Sequence, residues 1–274
     1  MRFMRVCLIG CGNIGKSLAV YIDENMFGTD LVGLFDKNRE KSIRLKKKLK
    51  RLKPHVAYSI EELLMFKPEL VIEAASQEAV RDYAERILDE SDLMILSVGA
   101  LTTYKLYQTL LKKAKEKKRK IYIPSGAILG VDGVKSGSVG KIEEVTLTTI
   151  KNPKSMEQTL YLSKKGVDLG QIRKRTILYE GYAEEAVKYF PKNVNVAATL
   201  SYAGIGPQKT KVRIVVDPDV KENIHEIYVK GDFGELLTRA KNVPSPQNPR
   251  TSYLAVLSAI RTLRKISEPV DVGT

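Results

Sequence analysis

Residues 3–9, FMRVCLI, form a nearly continuous apolar run of strand length, and a glycine-rich turn follows at once. A run without polar alternation is what a strand covered on both faces presents, so it predicts a buried strand in a parallel sheet. The same signature recurs in DLVGLF, PELVIEAAS, SDLMILSVGA and KIYIP, and segments around 77–90 and 102–118 separate some of these as predicted helices. Strand–helix alternation continued through residue 124 is the mark of a doubly wound parallel sheet.

Near Pro124 the pattern changes. KIEEVTLTTIKN, TKVRIVVDP and the stretch around His225 alternate apolar and polar positions, as strands do when one sheet face is covered. A strand over 223–230 would put His225, Ile227 and Val229 on one face and Ile224, Glu226 and Tyr228 on the other. GYAEEAVKYFPKNVNVAATLSYAGIG reads as two helical stretches divided by Pro191, and DFG as a hairpin turn. NPRTSYLAVLSAIRTLRKI reads as a helix with Thr251 or Ser252 as its cap. The expected architecture is α/β: a Rossmann-type dinucleotide-binding domain over 1–124, an α+β substrate domain over 125–247, and a terminal helix within 248–274 returning to the first domain.

Composition narrows this picture. The 274 residues are 43% hydrophobic and suffice for two cores. No apolar run approaches the roughly 18 residues that span a bilayer, and the short apolar start leads into glycines rather than a cleavage site. A cytoplasmic protein with no membrane partner is expected. Cys7 and Cys11 lie four apart with no histidine nearby, so neither a zinc site nor a disulfide framework is suggested, and no metal is expected.

The net charge of +14 raises the possibility of a nucleic-acid partner. The basic runs REKSIRLKKKLKRLKP and LLKKAKEKKRK, however, keep apolar residues at helical spacing and lack interleaved aromatics. They are expected to be solvated helix faces, with no specific nucleic-acid function. Abundant lysine, two histidines and no tryptophan also suit a heat-adapted protein.

The candidate chemistry starts at GCGNIG. Gly10 would permit a tight turn, Gly12 a close backbone approach to a pyrophosphate, and Gly15 close packing of helix on strand. The helix starting near Asn13 and Ile14 would aim its amides at the phosphates. Asp36 ends the next strand, twenty-one residues after Gly15, where a carboxylate accepts the adenosine-ribose hydroxyls. Ala75 and Ser76 supply small residues where backbone passes a cofactor. NAD is therefore the expected cofactor, with NADP tolerated because Lys37 and Arg39 follow Asp36.

Several blocks, GCGNIG, EAAS, PSGAILGVD, FPKNVNVAATLSYAGIG, TKVRIVVDP, NIHEIYVKGDFG and PSPQNPRTSYLAVLSAI, run in order along nearly the whole chain. On these the chain resembles the L-aspartate dehydrogenase family. The resemblance implies NAD(P)-dependent oxidation of L-aspartate to iminoaspartate, which feeds NAD biosynthesis or hydrolyses to oxaloacetate and ammonia. It implies that Ala127 and Asn195 touch the cofactor, with Asn193 as the alternative in the doubled NVNV, and that His225 is the acid/base. His55 has no such context and is expected at the surface or in a loop.

Histidine titrates nearest neutral pH and suits the removal of an ammonium proton. Ser201, Lys209 and Arg213 are the candidates for the substrate carboxylates, although an outward charge on a half-exposed strand is the ordinary role of either cation. A homodimer is expected. The competing expectations are an oxidoreductase of homoserine dehydrogenase or dihydrodipicolinate reductase type, and a non-enzymatic NAD-binding regulator.

Overall fold

The computed structural model describes residues 3–25, 28–190, 195–245, 248–270 and 272–274. Contacts divide the chain into Met1–Pro124 with Val256–Asp271, and Ser125–Ala255 with Val272–Thr274.

In the first unit the apolar runs become parallel strands. The order along the chain is β1 (Met4–Ile9), α1 (Asn13–Asn25), β2 (Thr29–Phe35), α2 (Arg39–Lys48), β3 (His55–Val56), α3 (Ile60–Met65), β4 (Leu70–Glu73), α4 (Gln77–Leu88), β5 (Asp92–Ile95), α5 (Tyr104–Lys117) and β6 (Ile121–Tyr122). The strands pair in the order β3-β2-β1-β4-β5-β6, all parallel. The strand order reverses between β1 and β4, and ligands of such sheets bind at the carboxyl ends beside this switch.

The basic segment after α2 is held by a buried carboxylate of α1. Asp23 accepts backbone N–H bonds from Lys50, Arg51 and Leu52 at 2.6–2.9 Å. Burial pushes its pKa up, but these bonds outweigh that and leave it below the usual value. The basic helices present their charges outward, where Arg44 pairs with Glu40 and Lys113 and Lys117 both pair with Asp89. His55, expected at the surface or in a loop, is exposed on edge strand β3 and stacks on Phe66 at 4.6 Å.

The second unit continues with α6 (Val131–Gly137), β7 (Ile142–Lys151), α7 (Leu160–Lys164), β8 (Thr176–Tyr182), α8 (Ala183–Tyr189), α9 (Asn195–Ala203), β9 (Lys211–Val216), β10 (Asn223–Gly231), β11 (Gly234–Asn242), β12 (Pro244–Ser245), β13 (Asn248–Ser252) and α10 (Tyr253–Ser267). Its main sheet is mixed, in the order β11-β10-β7-β9-β8, with β7 and β9 parallel and the other pairs antiparallel.

Period-two alternation sorts this sheet into two faces. Val145, Leu147, Val212, Ile214, Val216, Ile227 and Val229 face a core shared with Ala197 and Leu200 of α9. The opposite face carries cross-strand ion pairs, Lys211–Glu144, Arg213–Glu180 and Arg239–Glu226. From Val256 onward α10 belongs to the first unit, where Val256, Ala259, Ile260 and Leu263 join the core of β1, α1 and β2. Among the described residues no helix is long and apolar enough to cross a membrane.

Candidate active site

The first unit builds a cradle at the carboxyl ends of β1, β2, β4 and β5. Gly10 has φ +92°, and a Cβ there would lie 2.6 Å from the Ala74 carbonyl. A Cβ on Gly15 would lie 1.9 Å from the Gly10 carbonyl oxygen, so helix α1 packs on the turn at a distance only glycine allows. Nothing comes within 4 Å of the corresponding position on exposed Gly12, which leaves open space in front of the start of α1 at Asn13. Asn13 is exposed beside it and Ile14 is half-buried against the core. Open space, a close backbone and the N-terminal amides of a 13-residue helix fit a dinucleotide pyrophosphate.

Asp36 closes the cradle beside β2. One carboxylate oxygen accepts the Cys11 N–H at 2.8 Å and the other accepts the Asn38 N–H at 2.8 Å. The carboxylate is thus fixed against the glycine turn with lone pairs left for hydroxyl donors. Ala75 and Ser76 are both exposed, and Ser76 Oγ caps α4 by accepting from the Ala79 N–H.

Beneath them lies a residue outside the expected site, Glu73. Glu73 is 2% exposed, and its carboxylate accepts from the Ala75 N–H at 2.8 Å, the Ser97 N–H at 3.0 Å and the Ser97 hydroxyl at 2.9 Å. It ties the turns after β4 and β5 together. Burial pushes its pKa up, against these donors and the Ser76 N–H, which pull it down. An acid at the end of a buried apolar run was the available signal.

The two cysteines are free and buried. Burial pushes the Cys7 thiol up to about 12 and the Cys11 thiol up to about 11, so neither is a ready nucleophile. Among the described residues no group of three or more His, Cys, Asp or Glu is placed to hold a metal ion.

In the second unit, polar side chains gather at one end of the otherwise apolar inner face. His225 stands opposite Thr149 on β7 and Ala240 on β11. It is 5% exposed, and its Nδ1 lies 3.0 Å from Thr149 Oγ1. Two residues beyond Thr149, on the same face, comes Lys151, 9% exposed. Asn223, two residues before His225, pairs with Asn242, and both are buried. The Asn242 amide donates to the Ala127 carbonyl at 3.0 Å, which brings the buried Ala127 turn to the same patch.

Burial holds the His225 imidazole down at about 3, with the Lys151 charge acting in the same direction. Burial alone holds Lys151 down at about 8. His225 is thus neutral when folded but titrates near 6.5 when unfolded, and between these values the unfolded chain binds more protons. Its stabilising contribution is present above 6.5 and is lost as pH falls toward about 3. Thermal melts across this window should show a flatter pH dependence for His225→Asn than for the wild type. Parallel profiles would mean that the folded imidazole titrates freely.

The substrate-binding candidates separate. Ser201 is buried in α9 with its hydroxyl donating to the Ala197 carbonyl at 2.7 Å. Lys209 is exposed in the turn before β9. Arg213 projects from the face opposite His225, where Glu180 holds it at 2.9 Å. None of the three joins the histidine patch in this structure, because parity along β9 sends Arg213 outward and helix geometry takes up the Ser201 hydroxyl. Asn195 is exposed at the start of α9, and Asn193 lies outside the described residues. Lys151 is the cation on the histidine's own face, and its shared parity with Val145 and Leu147 was the signal for it.

Residues 10–124 match the family described as "Homoserine dehydrogenase, NAD binding domain", and residues 132–266 match "Aspartate dehydrogenase, C-terminal". An L-aspartate dehydrogenase from Methanococcoides burtonii is 48% identical over 272 residues, covering 99% of this chain and 100% of the relative. The chain belongs to the L-aspartate dehydrogenase family.

A solved structure of aspartate dehydrogenase from Thermotoga maritima is 28% identical, with a TM-score of 0.75, and covers 99% of this chain and 100% of the other. A homoserine dehydrogenase structure from Thiobacillus denitrificans, 13% identical with a TM-score of 0.61 over 97% of this chain and 74% of its own, shares the fold. The L-aspartate dehydrogenase C-terminal match contains Thr149, Lys151, Asn223, His225 and Asn242, the whole polar patch except the Ala127 turn.

Proposed function

We propose that this protein is an NAD-dependent L-aspartate dehydrogenase in which His225 removes the proton from the substrate ammonium. The observation that carries this is a buried imidazole, held neutral by its surroundings and engaged at Nδ1 by Thr149, in a chain of the L-aspartate dehydrogenase family. When bound, the nicotinamide supplies the hydride acceptor for the Cα hydrogen.

The residues of the chain prepare the substrate for that transfer. A neutral imidazole is the form that accepts a proton. For Nε2 to take it, Nδ1–H must donate to Thr149 Oγ1, which fixes the tautomer and the ring plane. Deprotonating the ammonium frees the nitrogen lone pair that drives hydride departure from Cα. Enclosure among Ile227, Leu147 and Ile214 keeps water from the charged groups and strengthens their interactions. The imine so formed hydrolyses to oxaloacetate and ammonia unless another enzyme captures it.

The direct test is appearance of reduced nicotinamide with L-aspartate against a panel of amino acids and homoserine. The highest kcat/KM is expected for L-aspartate, and activity confined to another substrate would replace this assignment. Sedimentation would test the homodimer that belongs to the same proposal.

Cofactor choice follows from Asp36. A 2′-phosphate would meet its charge and lose its hydrogen bonds. The two cations that would relieve this are engaged elsewhere: Lys37 with Glu78 at 3.0 Å and Asp82 at 3.7 Å, and Arg39 over the Tyr58 ring at 4.0 Å. NAD preference should therefore be marked, and Asp36→Ser should move the ratio of kcat/KM values toward NADP by roughly tenfold or more. Tighter NADP binding by the wild type would show that Asp36 does not read the ribose.

A further inference from the structure

A buried carboxamide without a hydrogen-bond partner lowers the stability of a fold, and such a group is kept where a ligand supplies the partner. Asn223 opens β10 and is 5% exposed. By the period of two along the strand it shares a face with His225, roughly 7 Å further on. Directly across the β10–β11 pair stands Asn242, also buried. The two side chains are chemically identical and differently employed. The Asn242 amide donates to the Ala127 carbonyl at 3.0 Å, whereas the Asn223 carboxamide has no hydrogen-bond partner among the described residues. Thr149, the hydroxyl beside His225, is taken up by Nδ1.

A carboxamide carries an N–H donor and a C=O acceptor side by side. The reacting end of an α-amino acid is its complement, an amine N–H next to a carboxylate oxygen. We propose that Asn223 is a substrate-binding residue that spans the α-amino and α-carboxylate groups and presents the amine to His225. The inference rests on the aspartate dehydrogenase reading and deepens it by naming the group that holds the reacting end of the substrate. The carboxamide oxygen accepts one N–H of the ammonium and directs another toward His225 Nε2, while the carboxamide N–H donates to the α-carboxylate. The neutrality of Asn223 matters here. An acidic side chain at this place would favour the imidazolium, and a carboxamide leaves the imidazole in the form that accepts a proton.

The test uses the full chain as wild type, Asn223→Leu and Asn223→Asp. Thermal melts are combined with steady-state aspartate kinetics and with calorimetric titration of the NAD-saturated protein by succinate, a dicarboxylate without the amine. Leucine keeps the volume and removes both hydrogen-bonding groups. Because no bond within the protein is lost, Asn223→Leu should melt at or above the wild-type temperature. Its aspartate KM should rise about ten- to a hundredfold, the scale for hydrogen bonds to charged groups, while NAD affinity stays within about threefold. Succinate Kd should rise less than aspartate KM, since succinate has no amine to lose. Asn223→Asp keeps an acceptor but repels the carboxylate, so its KM should rise at least as far. Its added charge should also move the acid limb of the kcat profile to higher pH by raising the imidazole.

A folded Leu or Asp variant with wild-type aspartate KM would overturn the proposal and leave the reaction assignment standing. A Leu variant that melts well below wild type with KM unmoved would make Asn223 a structural residue, and overturn it equally. A wild type that oxidises no aspartate would remove the reaction assignment, and succinate would then decide for Asn223. Weaker succinate binding in the Leu variant would retain the carboxylate contact, and unchanged binding, or none in the wild type, would remove it.

Discussion

His225→Asn is expected to lower aspartate turnover by about a hundred- to ten-thousandfold, the range for loss of a general acid/base, with NAD affinity nearly unchanged. Asparagine keeps some hydrogen-bonding capacity toward Thr149 while losing the proton acceptor. The position also packs beside Ile227 and Val229 on the core face, so some loss of stability accompanies the change. Measuring melting temperature and kcat on the same preparation separates packing from chemistry. Turnover close to wild type in a variant that melts early would assign His225 to packing.

Glu73→Gln should be the most damaging change in the first unit. The carboxylate accepts from Ala75, Ser76 and twice from Ser97, all donors arranged for an acceptor, and an amide would present its own N–H groups to some of them. Leaving buried donors unsatisfied should cost about 3–5 kcal/mol. The turns after β4 and β5 would loosen together, weakening NAD binding by roughly tenfold or more while aspartate KM at saturating NAD changes little. Chemical denaturation and NAD titration would read the two effects. Unchanged NAD affinity in a destabilised variant would make Glu73 a structural tie without influence on the cofactor cradle.

The parallel sheet of the first unit was legible because each central strand is covered on both faces and reads as one apolar run. The edge at β3 was not, since two residues carry too little pattern, which is why His55 reads only as surface or loop. The glycine turn and Asp36 were legible because backbone geometry leaves few choices there. The alternation that puts Arg213 outward, between Val212 and Ile214, also puts Lys151 inward, in step with Val145 and Leu147. Knowing that Thr149 meets His225 takes the pairing of β7 with β10, a contact across 76 positions that local pattern does not encode.

The return of α10 gives the chain an order in time. Val256, Ala259, Ile260 and Leu263 complete a core whose other walls come from β1, α1, β2, α2, β4 and β5. During synthesis those walls leave the ribosome well before the helix that covers them, with the whole second unit made in between. Until then the nascent first unit presents an apolar groove, and the intervening Ser125–Ala255 unit has time to fold as a separate body. Once folded, that body is a compact tether that keeps α10 near its groove at high effective concentration. Slowing translation within the second unit should therefore lengthen the interval in which a chaperone can occupy the groove, and α10 is the helix that displaces it.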